Sequence, residues 1–115
     1  MENKILNIKS VDTLDILILE DGLRIKSFFS DKENGLLILI LSSGKIIKSR
    51  LSNFPRLEQA TQKQLDDYRL VGSGIGINWE ELDEDLSLKG FIRETAINNI
   101  VKQLRSKDME ELVLI

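Results

Sequence analysis

A chain of 115 residues, 42% hydrophobic and 30% charged, has apolar material for one core and little room for a second, so a single domain is expected. It contains neither cysteine nor histidine, which excludes disulfides, thiolate chemistry, Ser-His-Asp triads and most zinc sites; the lack of cysteine, with no signal-peptide pattern, leads us to expect the cytoplasm. The net charge is −3, and no run of Lys and Arg offers the counterion release that nucleic-acid binding needs, so no direct nucleic-acid binding is expected.

From the N-terminus, "KILNIKSV" (4–11) reads as an additional strand. Next, "LDILILEDGLRIKSFFS" (14–30) aligns without gaps on "LLILILSSGKIIKSRLS" (36–52), with ten of seventeen positions identical. Each copy reads as strand, turn, strand: an apolar β-branched run meets Asp21-Gly22 or Ser43-Gly44, then returns in alternation. "SDKENG" (30–35) joins the copies into a four-stranded antiparallel meander. Residues 23–27 and 45–49 alternate, so one of their faces is wet. The runs "ILIL" and "LLILIL" do not alternate. They need cover on both faces, by the chain's own helices on one side and by a curled sheet, a terminal helix or another protein on the other. The longest apolar run, Leu36 to Leu41, is far below the roughly 18 residues of a membrane span, so no membrane association is expected.

In the middle segment Pro55 suits the first turn of a helix. Thr61 with Gln64 forms a capping box, which predicts a helix from Gln62 to about Tyr68 or Leu70. "GSGIG" (72–76) resembles a phosphate loop only in part: Ile77 stands where a third glycine belongs, and the acidic "NWEELDED" that follows repels phosphate. A turn and a short strand, Gly76 to Trp79, fit better, with Ile75, Ile77 and Trp79 on one face and Trp79 as a core anchor. "DEDLSLKGFIRE" (83–94) puts Asp83, Asp85, Ser87 and Glu94 at calcium-loop positions, but Leu88 occupies the obligatory glycine position. The same residues explain a helix start, with Ser87 as N-cap and Asp83, Glu84 and Asp85 just before the positive end of a helix reaching about Arg105. The terminal "LVLI" is read as a strand that docks on the sheet edge or joins a partner's sheet.

Four stretches together, "SSGK" (42–45), "NFPRLEQAT" (53–61), "GSGIGINW" (72–79) and "LDEDLSLKGFI" (82–92), resemble the small bacterial domain family of unknown function DUF2442. The resemblance spans about residues 25–93, roughly 60% of the chain. Departures from the family pattern are Asn78 for a usual His, Ser43 for Asp, Asn53 for Trp and Glu80 for Pro. The resemblance implies a small α+β unit without established enzymatic activity. Such units are sometimes attached to helix-turn-helix domains and often encoded beside a second small protein cast as a toxin, which makes an antitoxin the leading implication.

The expected fold is α+β: an antiparallel sheet from a duplicated β-hairpin (1–52), a family-signature segment with a short middle helix (53–93), and a C-terminal extension carrying the end of a longer helix (94–115). The expected function is a non-enzymatic protein–protein interaction module, antitoxin-like, whose partner is a small toxin protein; self-association is left open. Phe54, Arg56, Trp79, Asp83, Glu84 and Asp85 are the candidate partner-binding residues, Arg and Trp because they dominate interface hot spots. No catalytic residue, cofactor or metal is assigned. A ligand- or divalent-metal-binding regulatory domain is the alternative reading, and a carboxylate-based enzyme the third.

Overall fold

A computed structural model describes residues 12–106. At its start the Asp12 side chain accepts the Leu14 N–H at 2.9 Å and caps a helix, α1, which begins as an α-turn over Thr13–Asp15 and widens into a π-turn over Ile16–Glu20. This corrects the expectation that the first copy of the repeat opens as a strand. Asp15 aligns with Leu37, which is fully buried in the sheet, so the strand form would turn a carboxylate into the core. In the helix Asp15 instead reaches Lys89 Nζ at 2.8 Å, while Asp12 meets Lys89 at 2.9 Å and Arg93 at 3.0 Å. The supposed hairpin turn ends this helix. Gly22 takes φ 75°, the left-handed conformation that a hairpin turn and a helix stop both require, and the Leu23 N–H closes on the Leu17 carbonyl. The Arg24 guanidinium donates to the Ile18 carbonyl.

The meander therefore has three strands, not four: β1 (Ile25–Asp31), β2 (Leu36–Leu41) and β3 (Ile46–Arg50), paired antiparallel in that order. The turn at Ser43-Gly44 is present as expected, with Gly44 at φ 89°. Strand β2 is apolar on both faces, and the register separates them. Leu37, Leu39 and Leu41 point into the core with Phe28, while Leu36, Ile38 and Ile40 point outward beside Arg50, Lys48 and Ile46. The strand expected at 4–11 and the docking expected of Leu112–Ile115 lie outside the described residues.

After a 3-10 turn at Leu51–Asn53, Pro55 opens α2 (Pro55–Glu58). The capping box then starts α3 (Gln62–Asp66): Thr61 Oγ1 accepts the Gln64 N–H at 3.1 Å, and Gln64 Oε1 accepts the Thr61 N–H at 3.0 Å. This helix stops short of the expected Tyr68. Asp67 leaves helical geometry, and the Tyr68 hydroxyl donates to the Phe28 carbonyl at 3.0 Å with the two rings edge to face. The chain then enters a second antiparallel sheet of β4 (Arg69–Val71), β5 (Gly76–Trp79) and β6 (Glu84–Ser87). Strand β5 has the expected bounds, but Ile75 does not share its buried face. It lies in the turn, exposed, and its carbonyl accepts the Leu88 N–H at 2.8 Å.

Ser87 caps α4 (Leu88–Arg105) by accepting the Gly90 N–H at 2.9 Å. Leu88 and Phe91 on this helix, Leu57 and Leu65 from α2 and α3, and Ile77 and Trp79 from β5 close over the inner face of β1–β3 as one apolar cluster. The glycine-rich loop fastens the two sheets together. Gly74, at φ 105°, accepts the Ile25 N–H at 2.8 Å, and a Cβ there would stand 2.5 Å from the Ile25 carbonyl oxygen.

Candidate binding surface

The six residues singled out in the sequence do not form one surface. Trp79 is fully buried, donates its indole N–H to the Leu65 carbonyl at 3.0 Å, and meets Phe28 edge to face at 5.5 Å. It is therefore the core anchor and not an exposed recognition residue, which corrects its place among the partner-binding candidates. Phe54 is half-buried and stacks on Phe91 at 5.4 Å. Arg56 is exposed and pairs with Glu84, Nε to Oε1 at 3.4 Å. Asp83 sits exposed at the turn before β6 with φ 51°, and Asp85 accepts the Asn78 amide at 2.7 Å. The acidic triplet is thus divided three ways, and among the described residues no three carboxylates gather closely enough to share a cation.

Asn78, where the family pattern has histidine, lies on β5 between Arg69 of β4 and Asp85 of β6. Its Nδ2 is engaged by Asp85, while its Oδ1 is buried without a hydrogen-bond partner. It borders a hollow of about 170 Å³ with Asp67, Tyr68, Arg69 and Glu80.

A larger groove, about 730 Å³, lies between the C-terminal half of α4 and the β2–β3 end of the first sheet. Lys48 and Arg50 project from β3, and Lys102 and Arg105 from the last turns of α4; all four are exposed, and no carboxylate stands among the described residues that line the groove. Asn53, Asn98 and Asn99 add amides, and Leu36 and Val101 add apolar surface. Thr95, buried at the groove wall, has a hydroxyl without a partner. The sequence contains no basic run because the cluster is assembled from two distant pairs. Lys48 and Arg50 share a strand face, Lys102 and Arg105 lie one helical turn apart, and only the packing of α4 beside β3 unites them. The two short spacings were the available signal.

Leu36, Lys48 and Arg50 also belong to the outward face of the sheet, so the groove continues onto that face. There Phe29 pairs with Ile38 and Ile40 with Ile46, and Phe29 and Ile46 remain 55% and 57% exposed. Ile97 and Leu104 on α4 are exposed as well. Among the described residues no helix is long and apolar enough to cross a membrane.

A family model for "Protein of unknown function (DUF2442)" matches residues 29–95. The chain belongs to the DUF2442 family. Its fold is similar to that of a protein of unknown function from Rhodospirillum rubrum ATCC 11170, at 30% identity and a TM-score of 0.56, over 63% of this chain and 87% of that one. An uncharacterized protein from Chromobacterium violaceum, solved by solution NMR, is similar at 27% identity and a TM-score of 0.57, over 81% of this chain and 87% of that one. Among curated proteins none matches. In this DUF2442 chain the family stretches "NFPRLEQAT" and "GSGIGINW" supply a helix-opening proline, a capping box, the Gly74 contact and the buried Trp79.

Proposed function

We propose that this DUF2442 chain is a non-enzymatic protein–protein interaction module, and more finely that it acts like an antitoxin by masking a small toxin protein. The observation that supports the module reading is the outward face of β1–β2–β3, where Phe29, Ile38, Ile40 and Ile46 adjoin with two of them more than half exposed. Apolar rows on an open sheet face favour burial by about 25 cal/mol per Å², and contiguous patches of this kind mark interaction sites. The finer reading rests on the family resemblance, which couples such domains to a small neighbouring protein.

Co-expression with the protein encoded beside it tests both levels. A stable complex that co-elutes on gel filtration and is lost in the double variant Phe29→Glu/Ile46→Glu is the expected result. A folded chain that forms no complex with its neighbour would remove the module reading. If the complex forms but the neighbour alone does not arrest growth, the antitoxin reading falls and the module reading stands.

A further inference from the structure

The two outer strands of the first sheet are treated differently. On β1 the free edge is closed: Gly74 accepts the Ile25 N–H at 2.8 Å, and Tyr68 donates to the Phe28 carbonyl at 3.0 Å. Gln62 finishes the same edge, accepting the Lys32 N–H at 2.8 Å and donating to the Ser30 carbonyl at 3.1 Å. On β3 nothing equivalent exists among the described residues. Beyond its ladder with β2 and the 3-10 turn that starts at the Arg50 carbonyl, no described residue hydrogen-bonds the backbone of Ile46–Arg50. An antiparallel edge strand left this way presents alternate N–H and C=O groups as a template for another strand.

We infer that the groove between the open edge of β3 and the C-terminal half of α4 receives an extended acidic peptide of a partner protein as an added strand; this rests on the interaction-module reading and names the chemistry of the partner. Edge strand on one side and helix on the other is the arrangement in which strand addition gives affinity through the main chain and specificity through alternate side chains. The charge decides the occupant. Lys48 and Arg50 stand two residues apart on one face of β3, so carboxylates at alternate positions of an added strand would face both. Lys102 and Arg105 add positive charge from the helix wall. The intervening side chains of the peptide turn to the other face, toward Ser49 and Val101. The same cations disfavour pairing of two β3 edges, which would bring Lys48 and Arg50 of two copies together.

Titration of the full-length, isotopically labelled chain with the peptide acetyl-Glu-Val-Glu-Val-Glu-amide, followed by NMR, tests the inference. Shifts concentrated on the amides of 46–50 and on α4 beyond Thr95, with a dissociation constant that rises with salt, are expected. The basic analogue acetyl-Lys-Val-Lys-Val-Lys-amide should cause none. Lys48→Glu/Arg50→Glu should weaken binding tenfold or more, and Lys102→Glu/Arg105→Glu should weaken it independently; all four side chains are exposed, and circular dichroism checks the fold. Equal response to both peptides, shifts elsewhere, or β3 amides already protected from exchange in the free chain, whether by its own terminus or by a second copy, would overturn it. If the neighbour-protein complex forms while the acidic peptide fails, the groove inference falls alone. If both fail, the module reading falls with it.

Discussion

Replacing Trp79 by Phe separates the two roles that the sequence left together, core anchor and exposed recognition residue. The indole N–H is the donor to the Leu65 carbonyl at 3.0 Å, and both residues are fully buried. Phe keeps an aromatic ring beside Phe28 but leaves that carbonyl unpaired, at a cost of about 1–3 kcal/mol. The smaller ring vacates roughly 40 Å³, which at about 24 cal/mol per Å³ adds about 1 kcal/mol. Together these predict a loss of about 2–4 kcal/mol, a large part of the stability of a small domain. With an m-value of about 1.5 kcal/mol/M, the urea midpoint should fall by roughly 1.3–2.7 M. Far-UV circular dichroism is the suitable probe, since the substitution removes the only tryptophan. A midpoint shift below roughly 0.3 M, combined with loss of partner binding, would refute the packing argument and return Trp79 to the surface.

Three further substitutions test the joints of the fold. Gly74→Ala forces a side chain into φ 105° and onto the Ile25 carbonyl at 2.5 Å, and should cost about 2–4 kcal/mol, visible as a Tm lower by roughly 10 °C or more. Thr61→Ala removes one arm of the capping box and should cost about 1 kcal/mol in denaturant titration, with Thr61→Ser recovering most of it. The ion pairs between α1 and α4 set a pH dependence. The Lys89 ammonium holds the Asp12 carboxyl below its ordinary value of 3.8, and Asp15 and Asp12 hold Lys89 above its ordinary 10.5. The Asp12 contribution is therefore present above 3.8 and lost as pH falls through the lower folded value, and the Lys89 contribution is present below 10.5 and lost as pH rises through the higher folded one. Asp12→Asn should flatten the acid limb of the stability–pH curve and reduce the alkaline limb, which Asp15 alone then sustains through Lys89, with thermal melts across pH as the measurement.

What could be read in advance follows from how local each determinant is. The capping box, the Pro55 start, the Ser87 cap and strand β5 depend on neighbours within a few positions, and each appears where the spacing puts it. The first run of the repeat misled because its decisive residue, Asp15, is one polar side chain among leucines and isoleucines. Its partner Lys89 lies more than seventy positions away. Asp21-Gly22 carried no deciding information, since positive φ serves a hairpin and a helix stop alike. Strand β6 was hidden by its acids: "EDLS" has no apolar alternation, and its strand character comes from pairing with β5, Glu84 opposite Trp79 and Leu86 opposite Ile77. The groove was the least legible feature, because it needs β3 and α4 docked before its four cations become neighbours.

The glycine-rich stretch that looked most like chemistry is a structural joint, and this shifts where function is sought. Gly74 bonds the edge of β1, Trp79 fills the core, Asn78 and Asp85 bond each other across β5 and β6, and Ser87 starts α4. The residues that carry the family resemblance in this stretch are largely occupied in holding the two sheets and the long helix together. Surface left over for a partner is the complement of that set: the apolar outward rows of β1–β3, the edge of β3 that no described strand pairs, and the basic end of α4. Leu57, Ala60 and Leu65 are buried beneath the joint, so substitutions at these three positions should disturb binding only through loss of fold. Charge reversal at Lys48 and Arg50, which hold no folded contact among the described ion pairs, should disturb binding with the fold intact. The two classes of variant, compared by thermal melt and by complex formation on the same samples, distinguish a domain whose signature is a scaffold from one whose signature is the site itself.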